Sequence, residues 1–213
     1  MALPHVMRNP WLDVPLADYE GHMRSAAVGQ LQPLADLFAE ALACRQPQSV
    51  ALLGIAGGNG LECVDPQITK RIVGLDINPS YLEAIKQRYA GRSGLELHCV
   101  DLAEQTVVMA PVELVHAALI FEHAGTGRCL DNAVALVAEG GALSVVLQLP
   151  SDSADEVGAS GVESVGRLRA HFTLIDPLEL KRALAARDFR LAQHTRRGAA
   201  SGKGFWMGIF ERA

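Results

Sequence analysis

The sequence lacks the long apolar runs that a membrane protein needs. Its longest apolar stretches, such as VELVHAALIF, reach about half of the roughly 20 residues that cross a bilayer as a helix. The N-terminal residues MALPHVMRNPWLDVP contain prolines, a histidine and early charges, where a secretory signal peptide has an uninterrupted apolar core. We therefore expect a cytoplasmic protein with no membrane partner.

Basic charge and paired cysteines are also scarce. The 213 residues include 19 Lys and Arg against 24 Asp and Glu, a formal net charge of -5, so no broad basic face for nucleic acid is expected. The four cysteines form no Cys-x-x-Cys pair, which favours reduced structural thiols over a metal site. Cys99 lies in a predicted strand, where a free cysteine behaves as a small buried hydrophobe.

Buried-strand patterns dominate the middle of the chain and alternate with helical ones. The five runs are SVALLG, RIVGLD, LELHCV, VELVHAALIF and GALSVVLQL. This alternation predicts a mostly parallel sheet of fully buried strands, covered by helices on both faces. Asn78 and Pro79 mark the start of one helix, and the pair Gly140 and Gly141 is predicted to end another, RCLDNAVALVAE.

Two flanking segments complete the predicted architecture. Residues 1–47 are predicted to form a helical arm or lid, with an apolar face formed by Leu31, Leu34, Phe38, Ala41 and Leu42. Residues 48–213 are predicted to form the main domain, and the two parts to form one compact unit. Its later elements are a surface loop in PSDSADEVGASGVESVG, a helix in DPLELKRALAARD and a hairpin of FRLAQHTRR and KGFWMGIFER.

Glycines and acids follow the ends of successive predicted strands, where ligands bind in open α/β sheets. GIAGGNG follows the first strand, Asp76 the second and Asp101 the third. Asp76 follows Gly54 at nearly the offset of about 20 residues at which an acid reaches ribose hydroxyls. Glycines in the loop permit positive φ and close approach of a ligand. No Lys or Arg lies between Val50 and Gln67, which favours a nucleoside without phosphates.

These motifs carry a family resemblance. LLGIAGGNGLE, VGLDINPSYLEAIKQRY, LHCVDL and VELVHAALIFEH resemble, in order and spacing, the cofactor-binding motifs of class I S-adenosylmethionine-dependent methyltransferases. The resemblance spans roughly residues 48–150 and extends less specifically through the closing hairpin. It implies an α/β, Rossmann-like three-layer sandwich: a seven-stranded, mostly parallel sheet with an antiparallel C-terminal strand, plus an N-terminal helical cap.

The resemblance also assigns roles to residues. It implies S-adenosyl-L-methionine as cofactor and S-adenosyl-L-homocysteine as product, with Asp76 accepting from ribose hydroxyls and Asp101 recognising adenine. The residues it places around the cofactor are Gly54, Ile55, Ala56, Gly57, Gly58, Gly60, Asp76, Ile77, Asp101, Leu102, Ala118 and Leu119. The chain departs from the family pattern where Ala56 replaces a middle glycine and Leu52 replaces an acid.

The residues beyond the cofactor motifs leave alternatives open. Glu122 and His123 follow the fourth strand. Either one of them acts as the base or orients the acceptor, or Glu122 only caps or hydrogen-bonds a backbone amide and His123 only shapes the loop. Tyr19 and His22, with Met23 on the same helical face, form either a lid or a packing stripe. Gln148 ends the fifth strand, where it contacts substrate or satisfies backbone groups.

The predicted function is methyl transfer to a small-molecule acceptor by in-line displacement. Leu52 and Ala56 keep a second hypothesis open, a protein that binds S-adenosylmethionine without turnover. A nicotinamide-dependent oxidoreductase is a third, since helix-end amides alone hold a pyrophosphate. It is disfavoured because Tyr81 and Lys86 do not have the Tyr-x-x-x-Lys spacing of short-chain reductases.

Overall fold

A seven-stranded sheet forms the centre of the protein in a computed structural model that describes residues 9–151, 157 and 160–212. The strand order is β3-β2-β1-β4-β5-β7-β6, and β7 alone runs opposite to the other six strands. The strands are β1 (Ser49–Leu53), β2 (Arg71–Asp76), β3 (Leu95–Cys99), β4 (Val112–Ala118), β5 (Val137–Leu149), β6 (Phe189–Gly198) and β7 (Gly204–Arg212). The predicted sheet and its closing hairpin are confirmed.

Helices cover both faces of the sheet. The α-helices are α1 (Leu16–Arg24), α2 (Leu31–Arg45), α3 (Pro79–Arg88), α4 (Phe121–Ala124), α5 (Arg128–Ala135), α6 (Glu163–Gly166) and α7 (Pro177–Ala185), and short 3₁₀ helices span Pro10–Asp13, Leu61–Cys63 and Arg167–His171. Phe38 of α2 and Ile85 of α3 belong to the core on one face, whereas Leu130 of α5 and Leu184 of α7 belong to the core on the other. The result is a three-layer sandwich. No helix in the described part of the chain is long and apolar enough to cross a membrane.

Side-chain caps fix where two of these helices begin. Asn78 Oδ1 accepts from Ser80 N at 3.0 Å, and Pro79 occupies the first turn of α3. Asp176 Oδ1 accepts from Leu178 N at 2.8 Å at the start of α7. The predicted helix start at Asn78 and Pro79 is therefore correct. The surface loop predicted after β5 falls partly on residues 152–156 and 158–159, which lie outside the described residues.

The predicted helix end at Gly140 and Gly141 is wrong. Helix α5 ends at Ala135, and both glycines lie in β5, where they form an irregularity in its pairing with β4. Gly140 has a φ of +71°, and a Cβ on Gly141 would lie 2.8 Å from Glu113 O. The glycines are there because the strand bulges, a role that the sequence pattern does not separate from ending a helix.

Strand β3 is not the fully buried strand that the pattern predicted. It lies at the edge of the sheet, with Glu96 and Cys99 exposed, so the expectation of a buried Cys99 is also wrong. The connection from β3 to β4 consists of turns and irregular chain over residues 100–111. Strand β3 is therefore partly open to solvent.

Asn132 on α5 anchors this irregular connection. Its buried side chain accepts from Val107 N at 2.9 Å and donates to Leu102 O at 3.0 Å and to Gln105 O at 2.8 Å. These bonds hold residues 100–111 against the sheet in place of a helix.

We predict that Asn132→Ala lowers the free energy of unfolding by about 2–4 kcal/mol, because three backbone groups lose their partner, one of them buried. The neighbouring Asp131→Ala is the matched control, since its ion pair with Arg187 is exposed and worth less than about 1 kcal/mol. Urea unfolding followed by circular dichroism measures both. Equal losses in the two variants would contradict the anchoring role.

Candidate functional site

The cavity that we take as the candidate site lies at the carboxyl ends of the parallel strands. Strand β1 pairs with β2 on one side and with β4 on the other, so the direction of the strand order reverses there. This is the position at which open α/β sheets bind ligands. The sequence-predicted cofactor residues that line the cavity are Gly54, Ala56, Asp76, Ile77, Asp101, Leu102, Ala118 and Leu119.

The remaining predicted residues of the glycine loop lie away from this cavity. Ile55, Gly57 and Gly58 line a second pocket. Gly57 is covered there by Glu20 and Arg88, with Arg88 Nη1 donating to Gly57 O at 2.6 Å and to Glu20 Oε1 at 2.7 Å.

Tight packing also explains the two other glycines of the loop. A Cβ on Gly58 would lie 3.0 Å from the Tyr89 ring, and one on Gly60 would lie 3.0 Å from Phe38. Both glycines have a positive φ. The close neighbours of these glycines are therefore protein side chains, whereas the sequence analysis expected a ligand.

Asp76 ties the glycine turn to the end of β2. Its Oδ2 accepts from Ala56 N at 2.8 Å and its Oδ1 accepts from Asn78 N at 2.9 Å. Burial raises the pKa of the Asp76 carboxyl, and the backbone hydrogen bonds oppose that shift. Ala56 itself has a φ of +46°, a left-handed conformation that costs an L-residue roughly 1–2 kcal/mol.

Two tyrosines stand beside this carboxylate. The rings of Tyr19 and Tyr81 lie 6.1 Å apart, and both line the cavity. Burial first, and then the charge of Asp76 and neighbouring groups, raise the pKa of each phenol. The Tyr81 hydroxyl is buried and finds no hydrogen-bond partner among the described residues. A buried polar atom left in this state marks a place where a ligand atom would bond.

The ends of β3 and β4 form the next parts of the wall. Asp101 is partly exposed and its Oδ1 accepts from Ala103 N at 2.9 Å, while Leu102 is buried beside it. After β4, Leu119 adopts a φ of +55° and donates its N–H to Val146 O at 2.9 Å. Strained backbone of this kind concentrates at functional sites.

Glu122 and His123 are neighbours in α4, but the structure places them in different environments. Glu122 is 2% exposed, its Oε1 accepts from Gln148 N at 2.8 Å, and it is not among the described residues that line the cavity. Burial raises its pKa to about 7. Its Oε2 is buried without a hydrogen bond to the described part of the chain.

His123 lines the cavity between two aromatic rings. It meets Trp11 edge-on at 4.8 Å and Phe172 at 5.2 Å between ring centroids. Burial, assisted by His171, lowers its pKa to about 4, so the ring is neutral at pH 7. Its Nδ1 is buried and lacks a hydrogen-bond partner within the described ranges.

N-terminal residues form the roof of the cavity. Trp11, Tyr19, His22 and Met23 line it, and the carbonyl of Trp11 accepts from Asn78 Nδ2 at 2.9 Å. His22 is 5% exposed, with Nδ1 2.6 Å from Ser160 Oγ. Burial first, and then the charge of Lys203, lower the pKa of His22 to about 4.

The sequence analysis missed two buried polar residues beside Gln148. Gln30 Nε2 donates to Gln148 Oε1 at 3.2 Å, and Lys203 Nζ donates to the same oxygen at 3.3 Å. All three line the cavity, and Lys203 is only 2% exposed. Within GAASGKG, Lys203 has the appearance of a surface lysine. The antiparallel register of the hairpin was the available signal, because Gly204 pairs with Leu149 and so brings Lys203 to the end of β5.

The sequence matches no family model and no curated protein sequence. Solved structures, in contrast, are similar in fold. The N-methyltransferase NodS from Bradyrhizobium japonicum WM9, in complex with S-adenosyl-L-homocysteine, has a TM-score of 0.64 at 15% identity, over 92% of this chain and 98% of NodS. Magnesium protoporphyrin IX methyltransferase ChlM from Synechocystis PCC 6803, with the same bound molecule, has a TM-score of 0.65 at 13% identity, over 87% of this chain and 84% of ChlM.

A third similar structure is that of the [4+2]-cyclase SpnF. Its TM-score is 0.64 at 14% identity, over 84% of this chain and 80% of SpnF. At such identities the likeness concerns the fold. The protein has the Rossmann-like fold of class I methyltransferases, as the sequence motifs predicted.

We predict that Glu122→Gln changes how stability depends on pH. Because the folded pKa of Glu122 is about 7 against an ordinary 4.5, the folded protein keeps a proton that the unfolded chain releases, and stability falls between these pH values. Between pH 4.5 and pH 8 the free energy of unfolding of the variant, relative to that of the wild type, should therefore rise by up to about 3 kcal/mol. Urea unfolding across this range measures the difference. Glu179→Gln, at an exposed position, should show no such trend, and a flat profile for Glu122→Gln would refute the raised pKa.

Proposed function

We propose that this protein is an S-adenosyl-L-methionine-dependent methyltransferase that acts on a small-molecule acceptor. The observation that carries the proposal is the convergence of the glycine turn, Asp76 and Asp101 on one cavity at the switch point of the sheet. Two proteins of the same fold, NodS and ChlM, hold S-adenosyl-L-homocysteine in their solved structures. Their fold and this convergence together support methyl transfer.

The residues present fit an adenosyl group. Asp76 is a buried acceptor for vicinal hydroxyls, and the Tyr81 hydroxyl beside it is a buried group in need of a partner. Ile77 and Leu102 offer apolar surface to a base, with Asp101 as an acceptor at its edge. The loop between Val50 and Gln67 carries no Lys or Arg, which suits a ligand without phosphates.

The chain's own contribution to the reaction is to position the acceptor and exclude water. S-adenosyl-L-methionine, when bound, supplies a methyl group on a sulfonium leaving group. Trp11, Val165, Leu168 and Phe172 give the cavity an apolar wall, which strengthens the electrostatic interactions inside it. Holding the two reactants in line accounts for much of the rate enhancement in such a displacement.

Of the two residues after β4, we assign the base or orienting role to His123. It is neutral, it lines the cavity, and its buried Nδ1 is an atom that an acceptor proton would satisfy. Glu122 acts as a positioning residue, because its Oε1 fixes the backbone of Gln148 at the end of β5.

A second candidate is a protein that binds the cofactor without methyl transfer. Leu52, in place of the acid common in the family, is 6% exposed and packs in the core, and Ala56 adds a methyl group at the turn. The similarity to the [4+2]-cyclase SpnF indicates that this fold also occurs in a protein described by another reaction. Binding of the cofactor without turnover on any acceptor would favour this candidate.

We predict that the protein binds S-adenosyl-L-homocysteine and that Asp76→Asn weakens the binding at least tenfold. The amide places donors where Ala56 N, Asn78 N and ribose hydroxyls all need an acceptor. Isothermal titration calorimetry measures the affinity. Asp65→Asn, an exposed acid in the next loop, is the control that should bind as the wild type does. Failure to bind, or tighter binding of NAD, would overturn the proposal.

We predict that the N-terminal arm slows release of the bound molecule. In Asn78→Ser the serine hydroxyl still caps α3, but the side-chain donor to Trp11 O is lost. Losing one hydrogen bond of about 1 kcal/mol corresponds to roughly fivefold faster dissociation of the bound molecule. Trp11 fluorescence in a Trp206→Phe background measures the rate by stopped flow. Asp176→Ser alters the corresponding cap of α7 and serves as control. Equal rates in the two variants would rule out a lid.

A further inference from the structure

Aromatic side chains are scarce in this protein, but several of them lie together at the cavity. The sequence has 5% aromatic residues, and Trp11, Tyr19, Tyr81 and Phe172 all line the cavity. Three of these rings form a continuous row with His123, in the order Tyr19, Trp11, His123, Phe172. The ring centroids along it are 5.8, 4.8 and 5.2 Å apart. We call this row the ring wall.

The rings of the ring wall are held in a fixed arrangement. Neighbouring rings meet edge to face, at interplanar angles of 68°, 87° and 69°. A small separate core that includes Val165 and Leu168 packs against Trp11, Tyr19 and Phe172. An aromatic ligand in the cavity would therefore meet both ring edges and ring faces, which it contacts more favourably than a saturated ligand of the same size does.

One end of the ring wall lies away from the place for the ribose. Thr173 N donates to Glu122 O at 2.8 Å, which places Phe172 beside His123 in α4. Helix α4 follows β4, two strands from β2 in the order β2-β1-β4. Neighbouring strands lie about 4.8 Å apart, so this end is roughly 10 Å from the strand that carries Asp76.

This end of the ring wall also contains a polar atom in need of a partner. His123 Nδ1 is buried and makes no hydrogen bond with the part of the chain that the structure describes. Because burial lowers the pKa of His123 to about 4, the ring is neutral at pH 7 and presents Nδ1 as a hydrogen-bond acceptor. A ligand that fits here therefore combines apolar surface with one hydrogen-bond donor.

We infer that the methyl acceptor is a planar aromatic compound that packs against the ring wall and donates a hydrogen bond from a hydroxyl or N–H on its ring to His123 Nδ1. Trp11 and Phe172 select the flat apolar body, and His123 orients the substituent. The inference rests on the methyltransferase function proposed above and adds the class of its acceptor.

The adenine of the cofactor is also planar and aromatic, so binding experiments have to separate it from the acceptor. The probe is 2-naphthol. Decahydro-2-naphthol keeps the hydroxyl on a saturated body, and 2-methoxynaphthalene keeps the aromatic rings but has no donor. Each compound is titrated by isothermal titration calorimetry into the free protein and into the protein saturated with S-adenosyl-L-homocysteine.

With S-adenosyl-L-homocysteine bound, 2-naphthol should bind about fivefold more tightly than 2-methoxynaphthalene, because only 2-naphthol donates a hydrogen bond. It should bind at least about threefold more tightly than decahydro-2-naphthol, because only 2-naphthol offers aromatic contacts.

Two variants separate these preferences. His123→Phe keeps a ring but removes Nδ1, so it should abolish the preference over 2-methoxynaphthalene and retain the preference over decahydro-2-naphthol. Phe172→Leu should have the opposite effect. Both should bind S-adenosyl-L-homocysteine about as tightly as the wild type does, which also shows that they are folded. His194→Phe, at an exposed position of β6, is the control and should change neither preference.

The outcomes separate this inference from the proposed function. If the wild type binds S-adenosyl-L-homocysteine but does not bind 2-naphthol, or binds it no more tightly than either counterpart, the aromatic acceptor is overturned and the proposed function stands. Unchanged preferences in both His123→Phe and Phe172→Leu would also overturn it. Competition between 2-naphthol and S-adenosyl-L-homocysteine would assign the ring wall to adenine instead. Absence of S-adenosyl-L-homocysteine binding in the wild type would reject the methyltransferase, and this acceptor with it.

Discussion

The site depends on one buried carboxylate, that of Asp76. Its two oxygens accept from Ala56 N and Asn78 N, which joins the turn after β1 to the start of α3. Asn78 continues the connection through its Nδ2, which donates to the carbonyl of Trp11 in the N-terminal arm. One side chain thus fixes the left-handed turn at Ala56, and through Asn78 the roof of the cavity. Burial raises the pKa of this carboxyl, and the same backbone hydrogen bonds oppose that shift.

Charge is distributed along the cavity in the same order as the strands. The acids Asp76 and Asp101 follow β2 and β3, whereas Lys203 lies beside the end of β5. Between them the end of β4 contributes apolar and neutral groups, including Leu119 and His123. The order of the strands in the sheet therefore sets the order in which acidic, apolar and basic side chains line the cavity.

The sequence predicted the parts of this protein that repeat a local pattern. The buried strands, the cap at Asn78 and the residues at the ends of β1 to β4 were all marked by short motifs. The failures came where a local signal has two meanings. Gly140 and Gly141 fit a helix end and a strand bulge equally well, and the edge position of β3 depends on its neighbours. Lys203 was missed because only the hairpin register brings it into the cavity.

Glu122 and His123 are adjacent in sequence, but their side chains lie in different surroundings. Helix α4 turns the side chains about 100° per residue, so neighbours in sequence face different surroundings. His123 faces Trp11 and Phe172, and its neutral ring presents Nδ1 as a hydrogen-bond acceptor. Glu122 Oε1 accepts a hydrogen bond from Gln148 N, and Gln148 Oε1 accepts one from Lys203 Nζ.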